Sequence, residues 1–328
     1  MSGVTRDHFQ HTVDSYRGLH SSTVQERRDR YTELVNQYYD LVTDFYEIGW
    51  GTSFHFAPRR AGESLQDAIV RHEHHLVDEL KLREGMKVVD LGCGVGGPMR
   101  EMARVSGASI VGVNNNAYQI ERGWKHTRKA RMSELCSFVK ADFMQLPHRD
   151  EAFDAAYTIE ASCHAPDRVG LFREIARVMK PGASFAGYEW CLTDRYDPDN
   201  ARHQQIKKDI EEGNGLPDIA FTWQIDQWLK EAGLELVSSR DMAPGSAVPW
   251  YTALTGHDKS WRSLPRTPLG RALTNGATAI MEKLRLAPKG TQQVSDFLNA
   301  GADALVAGGK QGVFTPMYFF HARKPSPN

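Results

Sequence analysis

One run of residues constrains what this chain can fold into more than any other: Val88-Val89-Asp90-Leu91-Gly92-Cys93-Gly94-Val95-Gly96-Gly97. Its apolar start predicts a buried strand over Met86–Leu91 and its glycines a tight turn; a helix is expected at Gly96–Ser106. Gly92, Gly94 and Gly97 satisfy GxGxxG, a spacing shared with dinucleotide sites and so weak on its own.

Two neighbouring features separate the readings. Asp90 ends the strand, where a carboxylate suits a cofactor with a cationic amino-acid end and sits badly beside a pyrophosphate. The second strand, Ser109–Val113, runs into Asn114-Asn115-Asn116, whereas a nicotinamide site puts one acidic residue there for the ribose. Asparagine both donates and accepts, so it can still read a ribose. Asp142, after the third strand, is placed to bond an adenine amino group, and Phe143 to pack on the ring. A plain turn or helix cap explains Asp142 equally well. The expected cofactor is S-adenosylmethionine, bound by Asp90, Gly92, Gly94, Gly96, Asn114, Asn115, Gln119, Asp142, Phe143 and Glu160.

Further strands are expected at Ser137–Ala141, Phe153–Ile159, Ser184–Trp190, Leu234–Arg240 and Val313–His321. Helices at Ala117–Arg131, Arg168–Met179 and Thr222–Ala232 alternate with them. That alternation predicts an α/β fold: a doubly wound, mainly parallel seven-stranded sheet, Rossmann-like, with N-terminal helices and a helical insertion before the last strand. Tyr31, Leu34, Val35, Tyr38, Leu41, Val42 and Phe45 have the spacing of an amphipathic helix ending at Gly49. A second helix is expected over Glu63–Leu82, and the start of the polar stretch 1–30 is expected to be loose. Three parts follow: a substrate region over 1–82, a cofactor-binding core over 83–243, and a helical region with the last strand over 244–328. Both flanking parts are expected to cover the carboxyl edge of the sheet, where doubly wound folds bind ligands.

With 40 basic and 41 acidic side chains the charges nearly cancel, so no field of one sign gathers nucleic acid or anionic lipid over the whole surface, and only local patches are left open. The four cysteines lack CxxC spacing, which leaves no zinc site or disulfide framework and fits a reducing compartment. The N-terminus does not read as a secretory signal, and no window approaches the roughly 20 apolar residues of a membrane span. Any membrane contact is expected to be peripheral, and homo-oligomerisation is left open.

The segment Tyr46-Glu47-Ile48-Gly49-Trp50-Gly51-Thr52-Ser53-Phe54-His55-Phe56 resembles the aromatic signature of sterol C-methyltransferases. Arg71-His72-Glu73-His74, Asn114-Asn115-Asn116, Ile159-Glu160-Ala161-Ser162-Cys163-His164-Ala165-Pro166, Tyr188-Glu189-Trp190 and Phe314-Thr315-Pro316-Met317-Tyr318-Phe319-Phe320 are similar too. The similarity runs from about Tyr38 to Lys324. It departs at Ile48, where the family usually has Tyr or Trp. The resemblance implies methylation of a sterol at its carbon-24 alkene. It also implies a protein peripheral to the cytosolic face of the endoplasmic reticulum, or cytoplasmic.

Alkylating that alkene leaves a tertiary cation; a hydride shift and loss of a proton then give an alkylidene product. Such a site must exclude water, tolerate a cation and accept a proton. Aromatic faces meet the second need. Tyr46, Trp50, Phe54, Phe56, Tyr188 and Trp190 are the candidates, with core or lid packing as their bland alternative. For the proton, Glu47, His72, Glu73 and Glu160 are plausible. Adjacent on one helix, His72 and Glu73 point apart by about 100 degrees, so only one is expected to face the pocket; Glu73 is the favoured one, with a solvated helix face over Arg71–His75 as the bland alternative. The catalytic candidates are thus Tyr46, Glu47, Trp50, His72 and Glu73. An apolar slot for a flat sterol is expected from Pro249-Trp250-Tyr251, Ile280–Leu286 and Phe297–Leu305. Rival readings are a methyltransferase for an amine, phospholipid head group or phenol, a non-catalytic sterol carrier, and an NAD-dependent dehydrogenase.

Overall fold

The computed structural model of the chain describes residues 4–256 and 268–326. Its sheet contains β1 (Lys87–Leu91), β2 (Ser109–Asn114), β3 (Cys136–Lys140), β4 (Phe153–Ile159), β5 (Met179–Leu192), β7 (Glu235–Asp241) and β8 (Phe314–Arg323), in the order β3-β2-β1-β4-β5-β8-β7. β1 to β5 run parallel, and β8 inserts antiparallel between β5 and β7. This is the seven-stranded sheet expected from the sequence. A two-residue strand, β6 (Ala220–Phe221), pairs with β5 as an eighth member. The order reverses between β1 and β4, so the turns after those strands diverge and open a crevice.

Buried side chains fill both faces of this sheet. On one, Phe153, Phe185 and Phe320 of the strands pack beneath α7 (Arg168–Val178), which contributes Phe172, and α9 (Thr222–Glu231). On the other, Val88, Tyr157 and Phe319 of the strands pack under α4 (Leu65–Glu79) and α5 (Gly97–Ser106), which contributes Met99. α6 (Ala117–Lys129) follows β2 at the sheet's edge.

Residues 4–30 are more ordered than the loose start expected of this stretch, whose first three residues lie outside the described ones. They form α1 (Phe9–His20) and α2 (Val24–Asp29), and α1 buries Phe9, Val13, Tyr16 and Leu19 against α3 (Tyr31–Gly49). Those positions repeat at three and four residues within a polar sequence, which is how a narrow apolar stripe on a surface helix reads. α8 (Ala201–Asn214), α10 (Pro268–Lys283) and α11 (Thr291–Gln311) complete the helices, with α11 packed on α8. Gly213 and Gly301 make that contact; a Cβ on Gly301 would lie 2.7 Å from Gly213 Cα. α3 and α11 therefore close over the carboxyl end of the sheet from opposite ends of the sequence.

Candidate active site

A cavity of about 840 Å³, mouth included, opens where β1, β2 and β4 end. Asp90, Gly92 and Gly94 line it from the β1 turn, Asn114 and Asn115 from the end of β2, and Gln119 from α6. Asp142 and Phe143 line it after β3, and Glu160 after β4. Gly92 has φ +79°, and a Cβ there would lie 2.3 Å from Ala161 Cβ, so only glycine lets the β1 and β4 turns meet. At Gly97 a Cβ would lie 2.0 Å from the Thr52 carbonyl oxygen, because the aromatic loop presses on the start of α5. Thr52, Phe54 and His55 of that loop, with Tyr31, Val35 and Tyr39 of α3, roof the cavity. Gly96 does not line it. It caps α5 with its Cα against the Phe138 ring, so its part is to shape the turn.

The charge of this cavity selects among cofactors. Asp90, Asp142 and Glu160 line it, and among the described lining residues there is no lysine or arginine. A pyrophosphate would meet three carboxyl groups with no lysine or arginine to pair it, whereas a sulfonium and an ammonium find groups that can match their charge. Burial pushes Asp90 up to about 7. Burial likewise raises Glu160 to about 8, against the lowering effects of His55, the Trp190 indole and the Phe56 amide. Asn114 Nδ2 donates to Gln119 Oε1 at 2.7 Å, fixing that amide at the rim. Asp142 does two things at once: one oxygen accepts from the Met144 N–H at 2.9 Å, and the other accepts from the Tyr31 hydroxyl. The turn role and the cavity position thus coexist.

Beyond the roof lies a second chamber of about 1340 Å³, mouth included. Tyr38, Phe45, Tyr46, Trp50, Phe56, Trp190, Leu216, Leu254, Leu298, Ala302 and Leu305 give it a mostly apolar wall. The two cavities share Tyr39, Phe54, His55, Glu160 and His164. Tyr46 packs on Phe54 with ring centroids 5.4 Å apart, and Trp50 stands edge-on to Phe56 at 5.0 Å. Asn275, Ser295 and Asn299 form a polar corner, with Ser295 Oγ and Asn299 Nδ2 both donating to Asn275 Oδ1.

Hydrogen bonds set the protonation of the shared wall. His164 Nδ1 faces the Gly215 carbonyl at 3.1 Å, which only accepts, so Nδ1 carries the proton. Nε2 therefore accepts from the Tyr39 hydroxyl at 3.0 Å. Burial drives His164 down to about 4, keeping it neutral. His55 differs. Nδ1 faces the Phe56 carbonyl at 2.8 Å and Nε2 the Glu73 carboxylate at 3.1 Å, so both nitrogens meet acceptors. Although burial lowers its pKa, contact with Glu73 and Glu160 raises it on balance, consistent with an imidazolium.

Several expected site residues lie elsewhere. Glu47 points away from both chambers and ion-pairs with Arg122 at 2.6 Å and His126 at 2.5 Å, tying α3 to α6. His72 is buried with its ring stacked on Tyr188 at 3.6 Å, and neither residue lines a cavity. Glu73 stands one shell behind the wall, reaching it through His55 and accepting from Ser53 Oγ at 2.8 Å. Trp250 supports Phe56 from below, edge-on at 5.0 Å, without lining the chamber. Ile280, Leu284 and Leu286 face outward instead of building the slot, which Leu298, Ala302 and Leu305 supply. Tyr31, Tyr39 and His55 were not expected in the site. Tyr31 belongs to the apolar stripe of α3 and Tyr39 adjoins it next to Tyr38; sequence cannot separate a core ring from one whose hydroxyl serves a cavity.

Residues 89–187 match the family described as Methyltransferase domain, and residues 261–326 the one described as Sterol methyltransferase C-terminal. The chain is 53% identical to the cycloartenol-C-24-methyltransferase of Arabidopsis thaliana over 95% of its own length and 93% of that protein's. It is 43% identical to the sterol 24-C-methyltransferase of Saccharomyces cerevisiae over 99% of its length and 87% of that chain. Among solved structures, the mycobacterial cyclopropane synthase MmaA2 shares the fold, with a TM-score of 0.71 at 15% identity over 89% of this chain and 98% of that one. With the sheet order, the acidic cofactor cavity and these similarities together, the chain belongs to the sterol 24-C-methyltransferase family.

Proposed function

We propose that this enzyme transfers the methyl group of S-adenosylmethionine to carbon 24 of a Δ24-sterol, through a carbocation, as a step of sterol biosynthesis. The observation that carries the reading is the shared wall: one set of aromatic and acidic residues borders both a carboxylate-lined cavity and a long apolar chamber. S-adenosylmethionine supplies, when bound, a methyl group activated by a neighbouring positive sulfur. Asp90, Gly92, Gly94, Asn114, Asn115, Gln119, Asp142, Phe143 and Glu160 would hold it, with Gly96 shaping their turn. Holding the alkene in line with that methyl can lower the barrier by about 7–11 kcal/mol.

Tyr46, Phe54 and Trp50 offer their faces to a cation in the chamber, each for up to about 2 kcal/mol once water is excluded. Glu160, on the same wall, offers negative charge once the bound sulfonium favours its ionised form. The polar corner at Asn275, Ser295 and Asn299 suits the single hydroxyl of a sterol. We assign residues 1–82 and 244–328 to the substrate and 83–243 to the cofactor. Incubation with labelled cofactor and either cycloartenol, lanosterol or phosphoethanolamine tests the reading. Label is expected in the sterols, and label only in the amine would reject it.

We also infer a peripheral seat on an anionic membrane, the cytosolic face of the endoplasmic reticulum being the one the resemblance implies. Ile280, Met281, Leu284 and Leu286 are 60, 42, 63 and 66% exposed within seven residues, among exposed Lys283, Arg285 and Lys289. The one acid of that stretch, Glu282, is turned to the Gly290 and Gln292 amides. Among the described residues no helix is long and apolar enough to cross a membrane. An apolar ridge with basic flanks fits the interface of anionic lipid. Co-sedimentation with phosphatidylserine vesicles is expected for the enzyme and lost in Leu284→Glu. Equal sedimentation of the two would reject this seat.

A further inference from the structure

The reaction must end by losing a proton, and the chamber holds a neutral acceptor for it. We propose that Tyr39 and His164 act as one proton-accepting pair, Tyr39 taking the proton from the methylated sterol cation as its own passes to His164. The inference rests on the methyl-transfer reading above.

The geometry points to this pair for three reasons. Both residues belong to the wall common to the two cavities, where the newly added methyl group must lie. The Gly215 carbonyl fixes the proton of His164 on Nδ1, so Nε2 is a base already hydrogen-bonded to the Tyr39 hydroxyl. The phenol, donating its only proton to Nε2, turns an oxygen lone pair to the wall. The other groups there serve differently. His55 has both nitrogens on acceptors and carries no free base. Glu160 accepts on both oxygens, from the Phe56 amide and the Trp190 indole.

The step balances. After the hydride shift, a C–H bond of the transferred methyl breaks and its electron pair closes the new double bond to carbon 24. The proton bonds to Tyr39 Oη as the Tyr39 O–H bond breaks, and that proton bonds to His164 Nε2. The positive charge moves from carbon to an imidazolium. Because the buried site disfavours that imidazolium, it is a short-lived carrier that returns its proton through Tyr39 or to solvent once product leaves. A base this weak suffices, since a carbocation is a far stronger acid than any side chain.

The test is the deuterium isotope effect on turnover, using S-adenosylmethionine with a protiated or fully deuterated methyl group and a Δ24-sterol. It is run on the wild type, Tyr39→Phe and His164→Gln; the glutamine keeps an acceptor for Tyr39 but cannot be protonated. Both variants are expected to keep thermal stabilisation by S-adenosylhomocysteine and lose about 10²-fold or more in kcat. Their isotope effect should rise, because deprotonation has become slow. Slower turnover with an unchanged isotope effect would assign the pair to packing and overturn the proposal. For a variant with no steady-state product, rapid quench after one turnover decides. Labelled sterol alcohol or a shifted double bond supports the pair, and unlabelled sterol overturns it. A wild type that methylates no sterol would instead defeat the functional reading itself.

Discussion

Trp190 donates its indole Nε1–H to Glu160 Oε2 at 2.7 Å, holding a carboxyl group where the two cavities meet. Glu160 occupies the left-handed region, φ +52°, uncommon for a side chain with a Cβ. Such a conformation costs about 1–3 kcal/mol and persists where surrounding bonds dictate it. Here those bonds are the Trp190 indole, the Phe56 amide on Oε1, and the Glu160 N–H donating to the Tyr188 carbonyl at 2.8 Å.

Glu160 should make the cofactor-free protein less stable as pH rises. Its folded pKa, about 8, lies above the ordinary 4.5, so the folded chain binds the proton more tightly than the unfolded chain between those values. The contribution is complete below 4.5 and is lost as pH rises through 8, by up to about 1.4 kcal/mol per pH unit. Glu160→Gln lacks it. Urea denaturation from mildly acidic to mildly alkaline pH should show a steeper loss in the wild type than in the variant; parallel profiles would contradict this.

Cofactor binding should release protons. Asp90 and Glu160 are raised to about 7 and 8 by burial, and a positive sulfur beside them favours their ionised forms. Calorimetry at neutral pH in buffers of differing ionisation heat should find more protons released by S-adenosylmethionine than by S-adenosylhomocysteine, whose sulfur is neutral. Equal release would show that these carboxyls do not sense the sulfonium.

Gly92→Ala should lose about 2–4 kcal/mol of stability, from the positive φ and the clash with Ala161 together. Gly233→Ala is the control, with φ +85° but nothing within 4 Å of a new Cβ. It should cost only about 1–2 kcal/mol. Thermal melting compares them, and equal losses would remove the packing argument for the β1 turn.

Glu73→Gln should act through His55. The amide keeps an acceptor for Ser53 but withdraws the charge that supports the imidazolium. The His55 pKa followed by NMR should fall, and turnover should drop more than cofactor affinity. An unmoved His55 would separate Glu73 from the wall.

The N-terminal helix should be a working part of the fold. Tyr16 is fully buried and its hydroxyl donates to the Glu212 carbonyl at 2.5 Å. Tyr16→Ala should cost about 3–5 kcal/mol, read by denaturation. A loss within error of zero would return residues 4–22 to the loose segment their polarity suggests.

The legible parts of this protein were those with a short period or a forced backbone. Glycine at 92 and the aspartate before it could be read because few arrangements need a carboxylate just ahead of a sharp turn. The seven main strands followed from buried apolar runs between helices. What resisted reading was direction. Tyr46, Trp50 and Glu47 lie within five residues of each other, yet the first two face the chamber and the third faces Arg122. The end of α3 decides that, and no local pattern encodes which neighbour a helix face will meet. Ile280 and Leu284 failed likewise: an apolar spacing shows that a face is hydrophobic, but not whether it meets the core or the solvent. Tyr39 and His164 are brought together by α3 folding over a turn 125 residues later, and their pairing leaves no mark on either segment.

The most direct measurement is product analysis after incubating the pure enzyme with S-adenosylmethionine, methyl-labelled, and a Δ24-sterol. Mass spectrometry should find the label on carbon 24 with the double bond moved off the original alkene. A sterol recovered unlabelled while the same enzyme methylates an amine would contradict the account.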